Sequence, residues 1–255
     1  MRNGPLKSLA LPLLLATLTL AQRPTPAKNP EFEVASIRPA VQDGNHDSDT
    51  DNGRFVTHNL TLKRLISIAY DVDMKQVFGG PEWIDSDSYD INAKIPAEFA
   101  RRAPGDVSLM IRSLLADRFH LAVHRELRQL AGYALLQAKQ GSKLPRAKPS
   151  DGGSDLHSNN THVTARYETM DQFARYLSRN RDIGKLVANK TGLSEPFDFE
   201  LDWAPAQLDS KPYALSDDRP TIFTALQEQL GLRLEAAKVS VEAVVIDRAE
   251  KPEAN

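Results

Sequence analysis

The sequence predicts an α+β protein built from two similar βαββαββ-like units with small mixed sheets, as one compact body or two adjoining domains. Three observations carry this. The chain matches itself at an offset of 108, where Thr61-Leu62 falls on Thr169-Met170 and Tyr89-Asp90-Ile91 on Phe197-Asp198-Phe199. The match continues at an offset of 111, with Ile111, Leu114, Leu115 and Phe119 on Ile222, Ala225, Leu226 and Leu230. Both copies also carry the same periodicities in the same order, and self-similarity at a fixed offset marks a repeated unit.

Residues 1–21 stand apart from the fold. Arg2 and Lys7 precede an apolar run, 9–20, and small residues follow at Thr19-Leu20-Ala21. This is the pattern of a secretory signal peptide, cleaved near Ala21-Gln22. The run is shorter than the ~20 residues of a membrane span, so the mature chain is expected to have no integral span and to be periplasmic or secreted. Removing the leader takes away two bases and no acid, which makes the formal charge of −2 more negative. A net acid chain disfavours generic nucleic-acid binding. The protein has no cysteine, so its stability rests on packing rather than disulfides. With 41% hydrophobic and 26% charged residues it has the composition of a globular protein.

Residues 22–31 form a Pro-rich tether, and the first α+β unit runs over 32–139. Residues 32–38 (FEVASIR) predict a strand that Pro39 ends. The acid-rich stretch 41–54 reads as a loop, and 55–60 leads into the first helix. Leu62, Leu65, Ile66 and Ala69 follow helical spacing behind the candidate N-cap Thr61. Tyr89, Ile91, Ala93 and Ile95 alternate with polar residues, as in a half-buried strand. Residues 140–160 have linker composition. The second unit, 161–250, opens with Thr169 and Gln172 as a capping box. Phe197, Phe199, Leu201 and Trp203 repeat the alternating strand. The stretch 241–247 (VEAVVID) closes the fold, its unbroken apolar residues fitting a central strand. Residues 251–255 are a tail.

Specific segments resemble a known family. FEVASIRPA, GRFVTHNLTLKRLISIAY, GGPEWIDSDSYDINAKIP, LLADRFHLAVHRE, KTGLSEPFDFELDW and TALQEQLGLRLE, in that order, resemble the soil-associated family of bacterial proteins. The domain of that family has no known function and is also found joined to antibiotic-sensor-type membrane metallopeptidases. The resemblance implies an extracytoplasmic protein and supplies no catalytic residue. Each copy alone, through NLTLKRLISIAYDV and SLLADRFHLAVH, is similar to the short N-terminal domain of secretins and TonB-dependent receptors, which mediates protein contacts.

The chemical motifs are few. Asp47, Asp49 and Asp51 stand at calcium-loop positions 1, 3 and 5, but Asn52 replaces the turn glycine and His58 the bidentate glutamate. That stretch therefore reads as a solvated loop. His120 and His124 lack the intervening glutamate of a zinc helix, and no metal site is expected. No nucleophile elbow, phosphate loop or dinucleotide fingerprint occurs. No catalytic residue and no cofactor are assigned. The most distinctive segment is Gly79-Gly80-Pro81-Glu82-Trp83. Its glycines permit positive φ, Pro81 stiffens the exit, and Trp83 is a candidate contact residue or a ring packed over the core. Gly79, Gly80, Pro81 and Trp83 are the candidate binding residues. Two functions follow: a non-catalytic module that binds another envelope protein by adding a strand at an open edge such as 55–60 or 162–167, or a carboxylate-dependent hydrolase without a recognisable motif.

Overall fold

The computed structural model describes residues 29–41, 46–99, 104–148, 153–159, 161–205 and 218–253. The predicted signal peptide lies outside them. Among the described residues no helix is long and apolar enough to cross a membrane.

The first copy is reached through β1 (Val34–Pro39) and β2 (Asp47–Asp51). It then runs through β3 (Arg54–Thr61), α1 (Leu62–Tyr70), β4 (Val77–Gly79), α2 (Trp83–Ser86), β5 (Ser88–Lys94), α3 (Pro104–Arg118) and β6 (Ala122–Gln137). The second copy contains β7 (Asp155–Ser158), β8 (His162–Glu168), α4 (Met170–Arg179), β9 (Leu186–Asn189), β10 (Phe197–Asp202), α5 (Ile222–Leu230) and β11 (Leu232–Arg248).

The predicted helices and alternating strands form where their patterns place them. Leu62, Leu65, Ile66 and Ala69 are buried on one face of α1. Met170, Phe173, Ala174 and Leu177 do the same on α4. Thr169 and Gln172 close a capping box in which each side chain accepts the other residue's backbone N–H. This satisfies two donors that a helix start otherwise leaves unpaired.

The copies agree in topology as well as pattern. The first has sheet order β1-β5-β3-β2 and the second β10-β8-β7, so α1 and α4 follow strands with equivalent neighbours. A strained detail repeats too. Asn59 and Tyr167, 108 residues apart, both adopt positive φ, at 54° and 52°. Each donates its N–H to a carboxylate on the neighbouring strand at 2.8 Å, Asn59 to Asp90 and Tyr167 to Asp198. A non-glycine residue rarely takes this conformation, and its recurrence with the same partner marks one structural unit used twice.

β2 and β7 arise in stretches that the sequence assigns to a loop and a linker. In the acid-rich stretch, Asn52 and Gly53 both have positive φ. That lets a two-residue hairpin fold β2 back on β3. β7 pairs antiparallel with β8. Residues 55–60 and 162–167 therefore lie in interior strands, β3 and β8, and cannot receive an added strand. The outer strands are β1, β2, β7, β10, β4 and β9.

The last two strands expected in each copy are the two ends of one long strand. β6 has 16 residues and β11 has 17. They pair antiparallel from Leu232 opposite Gln137 to Ile246 opposite Val123. β4 then adds parallel to β11, and β9 parallel to β6. The resulting order, β4-β11-β6-β9, alternates first copy, second copy, first, second. The ribbon is about 50 Å long at the usual strand rise, enough to reach both cores. Val244 and Ile246 of the second copy pack in the first core with Leu65, Ile111 and Phe119. Leu135 of the first copy packs in the second core with Phe173, Leu201 and Trp203. Each core is completed by the other copy's strand.

One equivalent position differs in polarity. Leu60 in the first core is replaced, 108 residues on, by Glu168, and both are 4% exposed. Burial pushes the Glu168 carboxyl above its ordinary 4.5, and the Ser154 hydrogen bond and the Arg175 charge offset this only in part. The unfolded chain loses this proton near the ordinary value and the folded chain only at higher pH. Between the two the folded state holds more protons, so stability falls as pH rises through that window. Glu168→Gln removes this contribution. Denaturant midpoints are expected to show the variant gaining on the parent as pH rises from 4.5 to 7, and a gap independent of pH would contradict the assignment.

Candidate functional site

The Gly79-Gly80-Pro81-Glu82-Trp83 turn sits where β4 ends against β11. Gly79 and Gly80 have φ of 73° and 81°. A Cβ on Gly79 would stand 3.0 Å from the Ile246 carbonyl oxygen, and one on Gly80 3.1 Å from Ile84 Cδ1. Both glycines are thus explained by close packing. Pro81 is exposed. Trp83 is half-buried against the first core, with Lys251 Nζ 5.8 Å from its ring. Lys251 also pairs with Asp87 at 2.6 Å.

The motif residues do not gather around a common point. Asp47, Asp49 and Asp51 take alternate positions on β2. His120 faces Glu250 at 3.3 Å, while His124 faces Asp247 at 2.8 Å. Among the described residues no three His, Asp or Glu side chains converge as a metal site would.

A cleft of about 370 Å³ lies between the two copies, over the middle of the ribbon. Its carboxylates all have donors. Asp71 meets Arg179 at 3.1 Å, Asp171 meets Asn189 at 2.9 Å, and Glu242 meets Arg125 at 2.6 Å. Asp73 accepts the Lys75 N–H at 2.8 Å. Lys75 reaches across to the Ser178 carbonyl at 3.1 Å, and Gln76 to the Glu242 carbonyl at 2.9 Å. The cleft joins the copies; its carboxylates are engaged with neighbours rather than aimed as a pair at shared space.

The third surface is the edge of the first sheet. In the second copy, the edge of β10 is capped at both ends. Trp203 N–H donates to the Thr161 carbonyl, so Asp198, Glu200 and Asp202 turn their backbone groups outward. Asp198 N–H is taken by the Pro145 carbonyl at 3.3 Å. The Gln229 amide accepts from Asp202 N–H at 3.0 Å and donates to its carbonyl at 2.7 Å. In the first copy the equivalent edge, on β5, is covered by β1. This adds a strand with its own outer side. Ala40 N–H donates to the Ser88 carbonyl, so Ala35 and Ile37 face outward, and Pro39 sits where its missing N–H is not needed. Ile37 is buried and Ala35 half-buried, and the Glu33 N–H is turned inward to the Lys94 carbonyl at 3.0 Å. The accessible part of the edge is therefore short and centred on Ala35, near the start of β1. There a groove of about 380 Å³ opens between residues 31–35 and α3, lined by Phe32, Val34 and Ala35 on one side and Ser113, Leu114 and Asp117 on the other. Val34 is 69% exposed. Sequence reading finds β1 but not this groove, because α3 lies some eighty residues further along.

These features define an internally duplicated α+β protein whose copies exchange strands and whose first sheet carries an added outer strand beside a groove. The chain belongs to the DUF3738 family, proteins of unknown function, whose model matches residues 63–249. The match takes in most of both copies and leaves β1, β2, all of β3 and the first residue of α1 outside it. No curated protein and no solved structure matches the chain.

Proposed function

We propose that this protein is an exported cell-envelope module that works by contacting another envelope protein rather than by catalysis. The observation that carries this reading is the start of β1. It is an outer strand with the outward backbone of Ala35 and an exposed Val34 beside a groove, while the β10 edge is capped at its two ends by Gln229 and residues 145–147. Outer strands left accessible are points where another chain adds. The signal-like residues 1–21 and the resemblances to the soil-associated family and to the short domain of secretins and TonB-dependent receptors support the envelope setting. The turn around Trp83 is a second contact surface in this reading.

A photo-crosslinking residue at Val34, introduced in the producing cells, tests it. The expected result is a discrete crosslinked protein at position 34 that is absent when the probe sits at Phe223, on the other core. N-terminal sequencing of the same material should begin at Gln22. Turnover of a small-molecule or glycan substrate that single Asp or Glu substitutions abolish would replace this reading with the hydrolase.

A further inference from the structure

The cleft between the copies, at about 370 Å³, has the size of a small-ligand site. It shares no lining residue with the groove beside β1. Its apolar lining is Ala174 of α4, Leu186, Val187 and Ala188 of β9, and Val241 of β11. Nearly all of its polar side chains are engaged within the protein. Asp71 pairs with Arg179, Asp171 with Asn189 and Glu242 with Arg125. Asp73, Gln76 and Ser178 hold backbone groups. Two side chains are left over. Arg175 makes no hydrogen bond or ion pair among the described residues, and only its through-space charge is felt, by the buried Glu168. The Ser240 hydroxyl has no partner among them either. The Ser240 backbone supplies a third donor. The Glu242 carbonyl is turned out of the ribbon to meet Gln76, and two residues earlier on the strand the Ser240 N–H points the same way. β4 pairs only with Val244, Val245 and Ile246, so it does not reach that N–H.

We infer that the cleft between the copies binds a small monocarboxylate with an apolar body. The Arg175 guanidinium and the hydroxyl and N–H of Ser240 hold the carboxylate, and the apolar part lies over Ala174, Leu186 and Val241. A guanidinium suits a carboxylate because its N–H groups match both oxygens. One negative charge is the limit. The lining carries four acids, Asp71, Asp73, Asp171 and Glu242, against two arginines, so a second charge on the ligand meets repulsion. Arg175 belongs to the second copy, and Asp71, Asp73 and Gln76 to the first, so the ligand sits where the copies meet. This goes beyond the interaction-module reading and does not depend on it.

The probe is hexanoate, titrated against the full chain by calorimetry, with hexan-1-ol and adipate as controls. Hexanoate is expected to bind at about the millimolar level, as suits so small a ligand with one ion pair. Each control should bind about tenfold more weakly or not at all. Arg175→Gln should weaken hexanoate about tenfold and Ser240→Ala about threefold, the worth of a charged and of a neutral hydrogen bond. Arg64→Gln, on α1 and outside the cleft lining, should change nothing. Arg175 and Ser240 are exposed, so circular dichroism should show their variants folded as the parent is. Hexanoate should also raise the urea midpoint of the parent, because it binds only the folded chain, and leave that of Arg175→Gln unmoved. No binding, hexan-1-ol or adipate binding as tightly as hexanoate, or binding indifferent to Arg175→Gln overturns the proposal. None of these outcomes bears on the contact at Val34, which the crosslink tests separately.

Discussion

Replacing Trp203 by alanine is expected to destabilise the protein by about 4 kcal/mol, within the range for deleting a buried aromatic side chain. The indole is 0% exposed, and its Nε1–H donates to Asp182 at 2.7 Å. The substitution empties the centre of the second core and removes that hydrogen bond as well. Trp203→Phe keeps most of the volume and should cost much less. Urea titrations of the two variants decide the matter, and a loss under about 1 kcal/mol for Trp203→Ala would mean that the site collapses or that the ring is not central.

The second large effect is expected at Gly132. This glycine lies in β6 opposite Leu186 of β9. A Cβ there would stand 2.5 Å from the Leu186 carbonyl oxygen and 2.8 Å from Val239 Cγ2. The first contact is with backbone, which cannot rotate away, so even Gly132→Ala must push β9 off the sheet. A loss of about 2–3 kcal/mol is expected, the upper part of the overpacking range, with faster hydrogen exchange at β9 amides. Gly105→Ala is the control, because a methyl added there meets nothing within 4 Å.

Much of the fold was legible because it is written locally. The spacing of Leu62, Leu65, Ile66 and Ala69, the alternation from Phe197 to Trp203 and the Thr169–Gln172 box each need only neighbouring residues. The duplication was legible because those local patterns recur at nearly constant offsets. β2 and β7 were missed because their residues are polar and become strands only by pairing with β3 and β8. Asn52-Gly53 was the available hairpin signal. The exchange of long strands was not legible either. The middle of β6, His124 to Gln129, crosses from one core to the other with no buried residue, so no apolar pattern announces a continuous strand. Surface features followed the same rule. The two glycines before Trp83 were recognisable as a turn, whereas the groove joins β1 to α3 and the cap on β10 comes from Gln229, both through contacts between distant parts of the chain.

The central structural claim is that neither copy is complete alone, since β11 finishes the first core and β6 the second. The two tryptophans stand one at each core, Trp83 half-buried on the first and Trp203 in the second. In Trp203→Phe the lesion is in the second core while the remaining fluorescence reports the first. Urea unfolding of this variant, followed by Trp83 fluorescence and by far-ultraviolet circular dichroism, tests the claim most directly. Shared strands predict one transition, with the Trp83 midpoint lowered together with that of the whole chain. A Trp83 transition left at the parent's midpoint, with a separate earlier step in circular dichroism, would show two independent units and contradict it.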